Sequence, residues 1–360
     1  MKQKRRVSLF LQVALFALTA GMLIYFCISG NNLVLLLHSL PGLSLFWLLG
    51  SLFSVVASWL LETAILRLLL KSSGRGEYAY TFRESFSVVM TGLYFSAITP
   101  FGVMGQPMQF LRLTRQGIPS GRAVSALAQK YLVYQTAITC YSAAVLLLRS
   151  GFFSRELPGF LALAVVGFGY QSAVVIFLFF FTHNRKVTTK LIRGILRLLV
   201  KVRIVKNLQQ AEDKLNRQLD FYLESNKAMH KDHKRSFMVY GLTVLQQTAV
   251  FAVPFFLYKA FRCEGFPAVD MISAQCFVTM ISSYTPLPGA AGAAEGSFLV
   301  LFRMFFQEDI LQQAMLLWRF ISYYSSILVG AFFAGFGRSG KGNKRQSSSG
   351  GNADSSREVS

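Results

Sequence analysis

Charge is scarce in this chain, and acid scarcer still. Of 360 residues only 15% are charged, and just 16 are Asp or Glu. Ordinary soluble domains carry about a quarter charged residues, so a conventional soluble enzyme of two domains is excluded. Cysteine and histidine number four each. Cys27, Cys140 and Cys276 fall in apolar runs and Cys263 in a short connection, with no Cys-x-x-Cys pair and no metal-ligand spacing. They read as small hydrophobes. His230 and His233 sit in a Lys/Asp-rich stretch that reads as solvated loop, so no metal and no other cofactor is expected. Catalytic signatures are missing as well: there is no nucleophile elbow and no His-Glu zinc helix. The stretch from Gly335 to Gly342 imitates a P-loop, but Gly stands where Ser or Thr must ligate magnesium and no strand precedes it.

What the chain does have is apolar length. Hydrophobic residues make up 53%, Phe alone contributes 34, and mean hydropathy is +0.44. Six runs, at 7–29, 43–70, 123–148, 159–182, 237–258 and 311–335, are each long enough to cross a hydrocarbon core of about 30 Å. The first follows the basic start Met1 to Arg6, is too long for a signal core, and ends at Gly30-Asn31-Asn32, so it reads as an anchor. Two further runs are too short to span. One, 85–98, follows a capping-box pattern (Thr81 with Glu84) and stops at Thr99-Pro100; the other, 271–284, follows Asp270 and stops at Thr285-Pro286. Each enters a Gly-rich turn and leaves through a second short apolar piece, 107–113 or 297–306. Such pairs fit re-entrant hairpins. The expected fold is therefore an all-α polytopic membrane protein with six transmembrane helices and two re-entrant helical hairpins.

The net charge of +21 is distributed to match. With this topology thirty Lys/Arg lie on the side of the N-terminus, five on the other, and two, Lys130 and Arg319, inside spans. The positive-inside rule makes the thirty-residue side, with both termini, cytoplasmic. Much of the excess lies at 183–236, where Lys190, Arg193, Arg197 and Lys201 form a narrow helical stripe beside Leu191, Ile195, Leu198 and Val202. That is a basic amphipathic helix for an anionic leaflet. Aromatic interleaving is absent, so nucleic acid is not an expected direct partner. Residues 207–235 read as a solvated helix, and 337–360 as a disordered cytoplasmic tail.

The pattern also repeats. Ser96-Ala-Ile-Thr-Pro-Phe-Gly-Val-Met-Gly105 resembles Ser282-Ser-Tyr-Thr-Pro-Leu-Pro-Gly-Ala-Ala-Gly292, and each is followed by a span with a cation in its first third, Lys130 or Arg319. Half one (7–148) and half two (159–336) each read as span, span, hairpin, span. Three crossings per half invert the second copy, the architecture of an inverted-repeat transporter with its site at the repeat interface.

The candidate site follows from these turns. Pro100 and Pro286 end the hydrogen-bond ladders after Thr99 and Thr285, and Gly102, Gly105, Gly289 and Gly292 permit tight turns. Backbone groups are then left for a ligand or for protein partners. Gln106 and Gln109 add neutral donors at the first turn and Glu295 a carboxylate at the second. Lys130 and Arg319 each cost about 2.5–3.5 kcal/mol at a span centre and need a partner. Glu62, Glu295 or a bound phosphate qualifies. Two readings stay open: structural ion pairs Lys130–Glu62 and Arg319–Glu295, or direct binding of an anionic headgroup. Tyr131, Tyr134, Tyr323 and Tyr324 are placed to orient such a group or to anchor span ends.

The two turn motifs, the second running Pro286-Leu-Pro-Gly-Ala-Ala-Gly-Ala-Ala-Glu-Gly296, resemble those of the transmembrane, flippase-like region of lysylphosphatidylglycerol synthases and its short free-standing Gram-positive relatives. The resemblance covers roughly residues 7–336. It implies a lipid translocase of the bacterial cytoplasmic membrane that handles phosphatidylglycerol, its aminoacyl (lysyl) form or a related phospholipid, with a family link to resistance against cationic peptides. In full-length members a separate soluble domain transfers lysine from lysyl-tRNA to the lipid. Neither the 25 residues after Gly335 nor 183–236 suffices for such a domain, so the expectation is an incomplete enzyme at most, with any transferase activity supplied by a soluble partner. The alternatives are phosphatidylglycerol lysyltransferase, as the membrane part of that system, and a small-solute secondary transporter.

Overall fold

The structure, a computed structural model, describes residue 34 and residues 40–72, 80–156, 159–183, 232–283 and 285–336. The expected first span at 7–29, nearly all of the basic insertion 183–236 and the tail 337–360 lie outside the described residues. Among those described, every regular element is helical and there is no strand.

Five helices are long and apolar enough to cross a membrane: Leu45–Lys71, Ser120–Arg155, Ala162–Phe180, His233–Ala260 and Glu308–Gly335. These match five of the six expected spans. The chain is a multi-pass membrane protein. We number the helices in order: α1 (Leu45–Ser72), α2 (Phe82–Ile98), α3 (Gly105–Arg115), α4 (Ser120–Glu156), α5 (Phe160–His183), α6 (His233–Phe251), α7 (Val253–Ala260), α8 (Ala268–Ser282), α9 (Ala293–Phe302), α10 (Glu308–Arg319) and α11 (Ser325–Phe336). Pro254 at the start of α7 explains why α6 and α7 are two pieces of one span, since proline cannot donate to the preceding turn. Between α10 and α11 the helix widens to a π turn over Phe320–Tyr324. There Ser322 donates to Trp318 O (2.6 Å) and Ser326 to Ser322 O (3.1 Å). Such back-bonding competes with the ladder and bends helices.

The short helices begin earlier than the apolar runs suggest. Thr81 caps α2 as a full capping box: Glu84 N–H donates to Thr81 Oγ1 (3.3 Å) and Thr81 N–H to Glu84 Oε2 (2.9 Å). Asp270, expected just ahead of its helix, lies inside the first turn of α8 and pairs with Arg149 of α4 at 3.1 Å. The piece expected at 297–306 starts directly after the second turn, because Gly292 N–H donates to Glu295 Oε2 (2.7 Å) and so caps α9.

Helices α2 and α3 fold back on each other across the first turn, as do α8 and α9 across the second. Helix α2 packs closely on α11 at Gly330, where a Cβ would fall 2.7 Å from Met90 O and from Tyr94 Cβ. Helix α8 lies against α4 and α5, α1 against α6 and α7, and the two turns touch. The largest buried cluster is aromatic: Phe298 stacks on Phe302 and on Trp318 at centroid distances of 4.2 and 4.8 Å. A second cluster, with Leu66, Leu69, Val88 and Leu113 at its centre, holds α1, α2, α3 and α4 together. Apolar side chains also face outward, as at Val166, Phe177 and Phe180 of α5. In water that surface would drive association; against lipid it is the expected exterior.

Candidate functional site

The first turn (Pro100–Gly102) carries φ +53° at Phe101 and +64° at Gly102. Left-handed backbone costs an L-residue roughly 1–2 kcal/mol, so Phe101 sits there under strain at an exposed position. Thr99 Oγ1 donates to Phe95 O (2.6 Å) and closes the end of α2. Gly105 then lets α3 start against α2, since a Cβ would meet Ser96 Oγ at 1.9 Å.

Beneath this turn lies a cavity of about 460 Å³, lined from α1 by Glu62, from α3 by Gln106 and Gln109, from α4 by Lys130, Tyr131 and Tyr134, and from α6 by Thr243, Gln246 and Gln247. Lys130 Nζ is ion-paired with Glu62 Oε1 and donates to Gln109 Oε1 (3.2 Å). Gln246 Nε2 donates to the other oxygen, Glu62 Oε2 (3.3 Å). Both charged residues are only 8% exposed. The charge at this depth is therefore neutralised by a partner and two amides, which is what a low-dielectric interior requires. Gln106 lines the same cavity, and its Oε1 has no protein donor among the described residues.

The second turn is built differently. Its left-handed residues are Gly289 (φ +60°) and Ala290 (φ +53°), within Pro288–Ala290. The turns therefore correspond at Pro100 and Pro288; Thr285 and Pro286, matched to Thr99 and Pro100 by sequence, precede the second turn by two residues. Arg319, 5% exposed, donates through Nε to Glu295 Oε1 (2.7 Å) and through Nη2 to Gly289 O (3.0 Å). Its guanidinium lies 5.1 Å from the ring centroids of both Trp318 and Tyr323. Tyr323 packs so tightly on Gly289 that a Cβ there would fall 2.4 Å from the ring, and its hydroxyl donates to Ala97 O (2.9 Å) at the end of α2. The second cluster thus reaches the first hairpin through one tyrosine. Arg319 does not line the cavity that holds Lys130.

The candidate residues hence fall into two groups. Glu62, Gln106, Gln109, Lys130, Tyr134, Gly102 and Gly105 surround one cavity. Glu295, Arg319, Tyr323 and Gly289 form a closed lock around the second turn. Thr243, Gln246 and Gln247 escaped the sequence reading. The adjacent amides in an apolar span were the available signal, since polar side chains at that depth need partners.

Comparison with protein families matches residues 9–330 to the family described as lysylphosphatidylglycerol synthase TM region. The chain belongs to this family. One relative is a UPF0104 membrane protein of Archaeoglobus fulgidus, 26% identical over 291 residues, covering 77% of this chain and 82% of that protein. The match to the lysylphosphatidylglycerol synthase membrane region covers α1 through α10 and half of α11. Both turns and both buried ion pairs fall within it.

Proposed function

We propose that this protein is a phospholipid translocase whose headgroup path runs through the cavity at Lys130. The observation that carries the proposal is a buried Lys130–Glu62 pair ringed by amides beside empty space, inside a bundle whose outer surface is apolar. A phosphate entering the cavity competes with Glu62 for the ammonium, while Gln106, Gln109, Gln246 and Gln247 offer hydrogen bonds to the rest of a headgroup. The family name points to phosphatidylglycerol or its lysyl form as the cargo, and to a soluble aminoacyl transferase as a partner.

The reading includes a topology of six spans and two re-entrant hairpins, residues 7–148 and 159–336 forming inverted halves, with both termini in the cytoplasm of a bacterium and 183–236 lying on the inner leaflet. Reciprocal packing supports it. The first hairpin's leading helix, α2, lies on the last span of the other half, and α8 likewise lies on α4. The two turns share their left-handed pair of residues and touch each other. In such an architecture the site lies where the halves meet.

The test is translocation of labelled phosphatidylglycerol in liposomes holding the purified chain. Lys130→Met with Glu62→Gln removes both charges together, so that neither is left buried alone. Wild type should equilibrate the label between leaflets, whereas the double variant should keep its fold and lose at least about tenfold in rate, the effect of one lost charge-assisted contact. Wild-type liposomes no faster than empty ones would end the proposal. The family name favours a second reading, the membrane part of lysylphosphatidylglycerol synthesis. Lysyl lipid formed by this chain alone in cells would establish that reading, and formation only alongside a soluble transferase would establish the divided version.

A further inference from the structure

A second space in the bundle has a different chemistry. Between α4, α6 and α8 runs a groove of about 620 Å³, beginning at Thr136 on α4, two residues beyond the last α4 residue of the central cavity, Tyr134, and ending at Arg149. The helical rise from Thr136 to Arg149 makes it about 20 Å long, enough for an acyl chain in one leaflet, whose hydrocarbon is about 15 Å deep.

Two tyrosines, Tyr141 and Tyr240, also line it, and Tyr141 Oη accepts from Thr248 Oγ1 at 3.5 Å; its three aliphatic hydroxyls are engaged by their own helices. Thr136 donates to Leu132 O (2.8 Å), Thr248 to Val244 O (2.9 Å) and Ser273 to Val269 O (2.7 Å). The walls therefore offer a ligand mainly hydrocarbon. At the Arg149 end the pattern reverses. Arg149 has a third of its side chain exposed, and its one ion pair among the described residues is to the buried Asp270, 3.1 Å from Nη1. A guanidinium has five donors in a planar fork suited to phosphate, and this one lines the groove with a third of its side chain exposed.

We propose that this groove is a phospholipid site separate from the translocation cavity, taking one acyl chain along α4 and α6 and seating an anionic phosphodiester on Arg149. An apolar slot of leaflet depth ending in a single cation matches a phospholipid in order, length and charge. The site does not depend on translocation: a chain that moved no lipid would still hold one here.

The experiment uses the full chain in phosphatidylcholine nanodiscs with a trace of phosphatidylglycerol bearing a photoreactive acyl chain, or of diacylglycerol with the same chain. Labelling is mapped by peptide mass spectrometry. The phosphatidylglycerol probe should label 136–149 and 240–248 about fivefold more than diacylglycerol, the effect of one basic side chain at an anionic lipid, and salt should erode that preference. Arg149→Gln with Asp270→Asn should bring the two probes to parity. Asp270→Asn alone should raise phosphatidylglycerol labelling, because the guanidinium loses its competitor; a purely structural Arg149–Asp270 pair predicts no such rise. Equal labelling by both probes in wild type with no salt dependence overturns the proposal. So does a Cys140 crosslink between two copies in place of lipid labelling, since Cys140 lines this groove.

Discussion

The two turns use the same backbone device for opposite ends. Each is a short proline-led turn with two successive left-handed residues, and each has a buried cation from a later span paired with a carboxylate. Around Lys130 the pair borders open space and touches amides from two other helices. Around Arg319 the fork is held by Glu295, by Gly289 O and by two aromatic faces. The side chains suit these surroundings. Lysine is a point charge on a flexible stem that can exchange partners, whereas a planar guanidinium fits a fixed set. In the proposed translocase one turn is the one answered by a ligand and the other is held shut.

The sharpest way to break that contrast is to truncate both cations. Arg319→Ala strands Glu295 and the Gly289 carbonyl and should cost about 3 kcal/mol, near the low end for a broken buried pair because Glu295 is partly exposed; a markedly lower melting temperature in detergent reports it. Lys130→Ala should abolish lipid movement at a smaller loss of melting temperature: Glu62 is the more buried carboxylate, but it keeps the Gln246 amide and borders a cavity wide enough to admit water. Equal loss of stability in the two variants would erase the distinction.

Gly289→Ala should come next. It combines a left-handed φ with a Cβ driven into the Tyr323 ring, so a loss of about 2 kcal/mol is expected, again read as melting temperature. The equivalent position in the first turn already carries a side chain, Phe101, pointing outward, so Phe101→Gly should stabilise slightly. Smaller again is Tyr323→Phe, which deletes the single hydroxyl bond from the second cluster to Ala97 O. About 1 kcal/mol is expected, together with faster amide exchange at the end of α2.

The smallest effect lies at a connection outside both turns. Burial and then the nearby Asp309 carboxylate hold the Cys263 thiol above its ordinary pKa, with Lys259 opposing. A raised pKa means less thiolate at a given pH, so alkylation of Cys263 should be slower than that of a free thiol at pH 8. Asp309→Asn removes one raising influence and should shift the rate–pH profile towards lower pH. Mass spectrometry of the labelled peptide measures both.

Much of this was legible before any coordinates. The spans from α1 onward, the capping box at Thr81 and both proline-interrupted turns are local features, set by apolar length and by residues within four positions of one another. A buried charge must have a partner, so Glu62, Glu295 or a bound phosphate qualifies for Lys130 and Arg319, and each carboxylate meets its cation. The repeat in the sequence leads to the expectation that Lys130 and Arg319 share one cavity between the halves; instead Arg319 does not line the cavity that holds Lys130. The start of α9 was missed because its cap comes from Glu295, after the turn, and the correspondence of Pro288 with Pro100 was masked by the nearer Thr-Pro match.

The sequence alone determined a helical membrane protein with two broken helices and two charges in need of neutralisation, since hydrocarbon tolerates neither unpaired backbone nor lone ions. Only the tertiary structure decided which faces look inward. A span such as α5 is apolar on every side, so periodicity cannot tell lipid from protein. That choice is made by neighbours far along the chain, and it put Lys130, 68 residues from Glu62, beside a cavity and Arg319 inside a lock.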